Sequence, residues 1–173
     1  TADIPENDFF SNEEEKSLDL SKIDNIILVD DVIGTGKTIT KEVTKIVEEV
    51  YSLSKSRNIF VLAVAGYEDG IQNIIKETGA SVVCALEYTS KDTVSNLDAE
   101  FYKNMPVSER GEALERIKRY CRSISTSELG FGGVGGMLIF DHNTPNTTLP
   151  IIWHNGKGWL PLFPRATKIT GAA

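Results

Sequence analysis

The chain has 173 residues, 40% of them hydrophobic, with two cysteines and a formal net charge of −7. That is enough for one domain with a proper core, whereas no stretch approaches the roughly 18 consecutive apolar residues of a membrane span and no charged-then-apolar leader marks a secretory signal. Of 25 acidic and 18 basic residues, eight acids and two bases fall in residues 1–24, so 17 acids and 16 bases remain in a nearly neutral body that offers no clear nucleic-acid surface.

Residues 1–24 are polar and acidic without a sustained period, and read as a linker or edge segment. A buried strand follows at Ile26–Val29, closed by the adjacent carboxylates Asp30 and Asp31. The small residues of Gly34-Thr35-Gly36-Lys37-Thr38 then open a helix at about Thr38. Unhindered backbone N–H groups, hydroxyls and the positive end of that helix converge there, which suits a phosphate. A carboxylate pair beside a phosphate must read something uncharged, and the vicinal hydroxyls of a ribose fit, because an ionised carboxylate only accepts hydrogen bonds. Two rival readings fit less well. A nucleotide-binding P-loop requires glycine five residues before Gly36, where Asp31 stands. An ordinary turn whose acids cap the helix leaves the acid pair and the Thr-Gly-Lys-Thr turn to coincidence.

Ile39, Val43, Ile46, Val47 and Val50 recur with helical spacing. Ser52–Arg57 reads as a polar connection, and Ile59–Ala65 as a strand buried on both faces. Asp69 with Gln72 suggests a capping box for a helix carrying Ile71, Ile74 and Ile75, and Gly79 supplies its stop. Ser81–Leu86 is a further buried strand. The alternation predicts an α/β fold, a right-handed parallel sheet with helices on both faces. Residues 25–90 form this core, and residues 91–173 a helix, a glycine-rich loop and an aromatic cap packed on it.

In that second part, Glu87–Val107 crosses the surface, and a helix from about Glu109 to Ile124 sets Leu114, Ile117, Cys121 and Ile124 on one face and mixed charges on a solvated other face. Cys84 and Cys121 have no metal-ligand spacing and read as reduced, buried thiols. G-x-G-x-x-G at Gly130, Gly132 and Gly135 leads into the apolar run Met137–Phe140, read as a strand, so it is a flexible turn and not a dinucleotide fingerprint; a lesser alternative is a loop that closes over a ligand, since glycines permit close approach. Beyond it, Phe140–Trp153 runs through a proline-containing turn into a short extended segment, and Asn155-Gly156 suggests a reversal into Trp159–Arg165, an aromatic and proline-rich β extension. His142 and His154 read as structural, and Trp153 and Trp159 as packing residues, with base stacking the lesser alternative.

The run VDDVIGTGKT resembles the fingerprint of type I phosphoribosyltransferases. The resemblance implies that Asp30 and Asp31 hold the ribose 2′ and 3′ hydroxyls of phosphoribosyl pyrophosphate and, through water, help place Mg2+. It implies likewise that Gly34, Thr35, Gly36, Lys37 and Thr38 wrap the 5-phosphate. Purine-salvage members often carry Asp at the position of Gly34, so glycine argues against that subfamily. In the family the acid pair follows roughly half of the core, including a pyrophosphate loop, and residues 1–24 are too few and too polar to supply it; the N-terminal half of the core is expected from elsewhere. The tail HNTPNTTLPIIW, followed by W-x-PLFPR, resembles a branch found in bacterial conflict and antiviral systems, some of its members associated with reverse transcriptases.

The want of a span or leader makes a cytoplasmic protein the default; the resemblance implies an effector or regulator in antiviral defence and, if the domain is active, a glycosyltransferase of the phosphoribosyltransferase type. Its ligand is phosphoribosyl pyrophosphate or a nucleotide, its partners are other proteins of a defence complex, and an oligomer is left open. No catalytic acid or base stands out in the sequence. The alternative is a non-catalytic nucleotide sensor or assembly module on the same fold.

Overall fold

A computed structural model describes the backbone of residues 23–52 and 58–165 and the side chains of all of these except 49–52. The expectations for the acidic segment and for the polar connection at Ser52–Arg57 fall almost entirely outside the described residues, as does the side chain of Val50.

The elements are β1 (Asn25–Ile33), α1 (Lys37–Ser52), β2 (Asn58–Tyr67), α2 (Glu68–Thr78), β3 (Ser81–Tyr88), α3 (Val107–Ile124) and the single turn α4 (Pro150–Trp153). The strands form a parallel sheet in the order β1-β2-β3. Its register runs from Asn25 opposite Asn58 to Ile33 opposite Gly66, and from Phe60 opposite Ser81 to Tyr67 opposite Tyr88. Neighbouring parallel strands need long crossovers, which α1 and α2 supply. The predicted strands and helices at 26–86 are therefore all present, each strand longer than its apolar run.

The α/β class holds, but the two crossover helices pack on each other and so share one face of the sheet. Between that face and the helices lie Ile33, Ile39, Val43, Val61, Ile71 and Ile74, with Leu28 and Val82 packed against them. Val61 and Val43 are fully buried, and each such side chain contributes about 1.5–3 kcal/mol. On the second face Val29, Leu62 and Val83 stand in one row, at 72%, 38% and 56% exposed. The helices expected there are supplied by no described element.

The α2 boundary differs from the expected capping box. The helix leaves β2 directly at Glu68, and its N-cap Tyr67 makes no side-chain cap bond. Gly79 closes it in the left-handed conformation, φ 70°, with its N–H on Ile75 O, as expected of a glycine stop.

A second cluster joins Val94, Ala99, Tyr102, Leu114, Cys121 and Leu149. Tyr102 is fully buried and donates its hydroxyl to Val94 O at 2.9 Å. The charged face of α3 is solvated, with Arg116 on Glu112 and Lys118 on Glu115. Two local expectations fail. Met137–Phe140 is irregular, with only a bridge between Gly136 and Thr148 beside it. Leu149–Trp153 is not extended, since Pro150–Trp153 makes one helical turn, for which proline at the first position is pre-set. The reversal expected at Asn155-Gly156 falls two residues later, at Lys157-Gly158, both at positive φ, with Gly156 and Trp159 bridged on either side of it. Among the described residues no helix is long and apolar enough to cross a membrane.

Candidate functional site

The site begins where β1 loses its regular alternation. Leu28 and Ile33 pack in the same cluster, yet an odd spacing would put them on opposite faces of a regular strand. Burial alternates up to Asp30 and is continuous from there to Ile33, while the pairing with β2 stays in step, Asp30 opposite Ala63 and Ile33 opposite Gly66. Both carboxylates fold onto the following backbone N–H: Asp30 Oδ1 accepts from Asp31 N at 2.9 Å, and Asp31 Oδ1 from Val32 N at 2.8 Å. Burial pushes the Asp30 pKa up to about 6, opposed by the hydrogen bond from the Asp31 backbone and reinforced by the Asp31 side chain. Desolvation disfavours the charged form, and a second carboxylate adds to that.

Gly34–Gly36 turn the chain from β1 into α1. Gly36 has φ +75°, and a Cβ there would lie 2.4 Å from Gly70 O; a Cβ at Gly70 would lie 2.1 Å from Gly34 O. The turn thus lies backbone to backbone on the first turn of α2, where Asn73 Nδ2 also donates to Thr35 O at 3.4 Å. The first helical bond of α1 runs from Thr40 N to Gly36 O. The N–H groups of Lys37, Thr38 and Ile39 lie ahead of it, without helical carbonyls to receive them. No acidic residue occupies the first turn of α1, so no side chain of that turn competes for its positive end.

A cleft of about 360 Å³ opens at the carboxyl ends of all three strands, where open α/β sheets receive ligands. Gly34, Thr35 and Lys37 form one wall; Tyr67, Glu68, Asp69 and Asn73 a second; Thr89, Ser90, Thr93 and Ser95 a third; and Gly132, Gly133 and Val134 a fourth. Of the residues predicted from sequence, Gly34, Thr35 and Lys37 line this cleft, while Asp30, Asp31, Gly36 and Thr38 belong to the same strand–turn–helix unit and are not among its lining residues. The other three walls were not singled out as site residues. The only sequence signal for two of them was their place just after an apolar strand.

Tyr67 is buried, and desolvation, with the nearby Tyr88 and Asp92, pushes its pKa up to about 12, so it keeps its proton at neutral pH. His142 stacks on Phe140, ring centroids 5.5 Å apart, His154 meets Trp153 edge-on, and neither histidine lines the cleft. Both tryptophans donate their indole N–H to backbone carbonyls, Trp153 to Thr148 O and Trp159 to Ile151 O; Trp153 is half-buried, whereas Trp159, expected to pack, is exposed. An equally large depression along α3 is lined by Glu112, Glu115, Arg116, Arg119 and Arg122; Arg116 and Arg122 are paired, with Glu112 and Glu128, and it is a solvated helix face away from the strand ends. Cys84 and Cys121 are both free thiols; Cys121 is buried and Cys84 half-buried. No group of three or more His, Cys, Asp or Glu among the described residues could by itself hold a metal ion.

A protein-family model described as PRTase-CE matches residues 2–165. No curated protein and no solved structure matches the chain.

Proposed function

The chain belongs to the PRTase-CE family, and from that premise we propose that this phosphoribosyltransferase-like domain binds phosphoribosyl pyrophosphate, or the ribose-phosphate part of a nucleotide, with Mg2+. The observation that carries the reading is the turn Gly34–Lys37. It puts the N-terminus of a sixteen-residue helix, with no acid in its first turn, on the rim of a polar cleft at the end of the strand that carries Asp30 and Asp31. The N–H groups of Lys37 and Thr38, the Thr35 and Thr38 hydroxyls and the Lys37 ammonium would receive the 5-phosphate. Asp30 and Asp31 each keep a second carboxylate oxygen that accepts no backbone N–H among the described residues, and these would take the ribose hydroxyls.

A magnesium ion fits this donor set only in one way. The described residues bring no three-ligand cage, and Mg2+ suits one or two carboxylates with waters and substrate phosphates as its other ligands. Asp30 and Asp31 would hold it through water, and the ion supplies charge neutralisation to a departing pyrophosphate when bound. The chain's own residues fix the sugar and its phosphate, which orients the anomeric carbon; the bond from that carbon to pyrophosphate oxygen breaks, a nucleophile adds, and the pyrophosphate leaves with the bonding pair.

A role as effector or regulator in bacterial antiviral defence, in a complex with other proteins, rests on the resemblance of the HNTPNTTLPIIW tail. The second reading, a sensor or assembly module without turnover, is favoured by one observation: no histidine lines the cleft. Titration of the chain with phosphoribosyl pyrophosphate and Mg2+, followed by an assay for pyrophosphate release with nucleobases as acceptors, tests both. Saturable binding with release supports the enzyme, binding without release supports the sensor, and no binding by the folded chain refutes the sugar-phosphate site.

A further inference from the structure

The glycine-rich run belongs to neither the acid pair nor the phosphate turn, yet it meets both the turn and the cleft. Gly132, Gly133 and Val134 line the same cleft as Gly34, Thr35 and Lys37. A Cβ at Gly132 would lie 2.1 Å from Thr35 Cγ2, so the two loops are in direct contact through a position only glycine fills. At φ +68° and +72°, Gly132 and Gly133 are held in a conformation that side chains disfavour.

The hydrogen bonding of this loop is selective. Phe131 N donates to Asn146 O at 2.7 Å, Gly133 N to Gly130 O at 3.1 Å, Gly135 N to Leu129 O at 2.7 Å and Gly136 N to Thr147 O at 3.0 Å. Ser95 Oγ donates to Val134 O at 3.0 Å. Between these, the N–H groups of Gly132 and Val134 make no well-formed hydrogen bond among the described residues, that of Val134 facing Phe131 O only as the weak second bond of the turn Phe131–Gly133, and both residues line the cleft. An ordered backbone N–H seldom goes without an acceptor, so these two are available to a ligand or to water.

Thr147 ties the loop to the phosphate turn. It is 3% exposed, its carbonyl receives Gly136 N–H, and its methyl lies 2.3 Å from where a Cβ of Gly34 would stand. Its hydroxyl is buried without a hydrogen-bond partner among the described residues. A buried hydroxyl without a partner costs on the order of 1–3 kcal/mol, and this one lies at the junction of the two loops.

We infer that the Gly130–Gly136 loop is the second half of the sugar-phosphate site, closing over the ligand seated on the Gly34–Lys37 turn and donating the Gly132 and Val134 N–H groups to oxygens of that ligand. This rests on the sugar-phosphate reading of the turn. A backbone N–H only donates, so the two match acceptor oxygens of a phosphate or sugar and not an amino group. Thr147 is a positioning residue that holds the two loops in register.

The test removes one donor hydrogen and leaves the rest of the loop. Val134 has φ −60°, which proline adopts, so Val134→Pro deletes the N–H, whereas Val134→Ala keeps it. Calorimetric titration of the 173-residue chain with ribose 5-phosphate, and with phosphoribosyl pyrophosphate and Mg2+, should show Val134→Pro binding about ten-fold more weakly than wild type, with Val134→Ala within about two-fold. Equal affinity of Val134→Pro and wild type overturns the inference while the sugar-phosphate reading stands. Failure of the wild type to bind either ligand overturns both. Should Val134→Pro not fold, amide hydrogen exchange of the wild type decides: the inference requires slowed exchange at Gly132 and Val134 when ribose 5-phosphate is added, and unchanged exchange there at saturation overturns it.

Discussion

Asp30→Asn should stabilise the ligand-free protein while weakening its site. Burial holds the Asp30 pKa at about 6 against an ordinary 3.8, so above that value the native chain carries a desolvated charge beside a second carboxylate. For a wholly buried group the difference corresponds to about 3 kcal/mol; Asp30 is only half-buried, and solvent screening reduces this to on the order of 1 kcal/mol. The sign follows from proton binding. Between the two pKa values the native state binds more protons than the unfolded state, so wild-type stability falls as pH rises from about 4 to about 6 and is level above that. Asn retains an oxygen to accept the Asp31 N–H now held at 2.9 Å and has no charge to desolvate. Thermal denaturation should therefore give Asp30→Asn a melting temperature about 2–4 °C above wild type near pH 8, with the gap closing near pH 4. Loss of binding to phosphoribosyl pyrophosphate should accompany the gain, a stability–function trade-off at one residue. A variant less stable than wild type at pH 8, or a gap independent of pH, would refute the reasoning.

Three further outcomes are expected. Gly34→Ala places a Cβ 2.3 Å from Thr147 Cγ2 and should destabilise by about 1–3 kcal/mol, with Thr147→Ser recovering part of the loss in the double variant; equal denaturation midpoints for Gly34→Ala and wild type would count against this packing. Tyr102→Phe removes the buried donor to Val94 O at 2.9 Å and should cost about 1–2 kcal/mol in urea unfolding without altering ligand affinity. Lys37→Ala, at the exposed start of α1, should weaken ribose 5-phosphate binding by about ten-fold at low salt and by less at high salt, a pattern that a purely structural lysine would not produce.

The strand–turn–helix unit was legible in sequence because each of its parts is local. Ile26–Val29 is an apolar run, Gly36 marks a left-handed turn and Ile39, Val43 and Ile46 recur at helical spacing. The start of α2 was misplaced because Asp69 and Gln72 mimic a capping box, whereas the helix leaves β2 with no side-chain cap at all. Met137–Phe140 has the composition of a strand but no neighbour to pair with, and strand formation depends on that neighbour more than on local preference. At Pro150 two tendencies competed, an extended residue before proline and a proline-led helical turn, and the structure takes both, with Leu149 at ψ 129° and the turn beginning at Pro150. That no described element covers the second face of the sheet could not be read from β1, β2 and β3, whose continuous apolar runs are those of strands covered on both sides. The cleft walls were least legible, because Thr35, Tyr67, Ser90 and Gly132 meet only after the chain has folded. The glycine run was visible as a motif, and its meaning lay in what it touches.

The most direct test of the account is calorimetric titration of the chain with phosphoribosyl pyrophosphate and Mg2+, beside the double variant Asp30→Asn, Asp31→Asn. The account predicts saturable binding by the wild type and its loss in a variant that melts no lower than wild type. Equal binding by the folded variant, or none by the folded wild type, would contradict it.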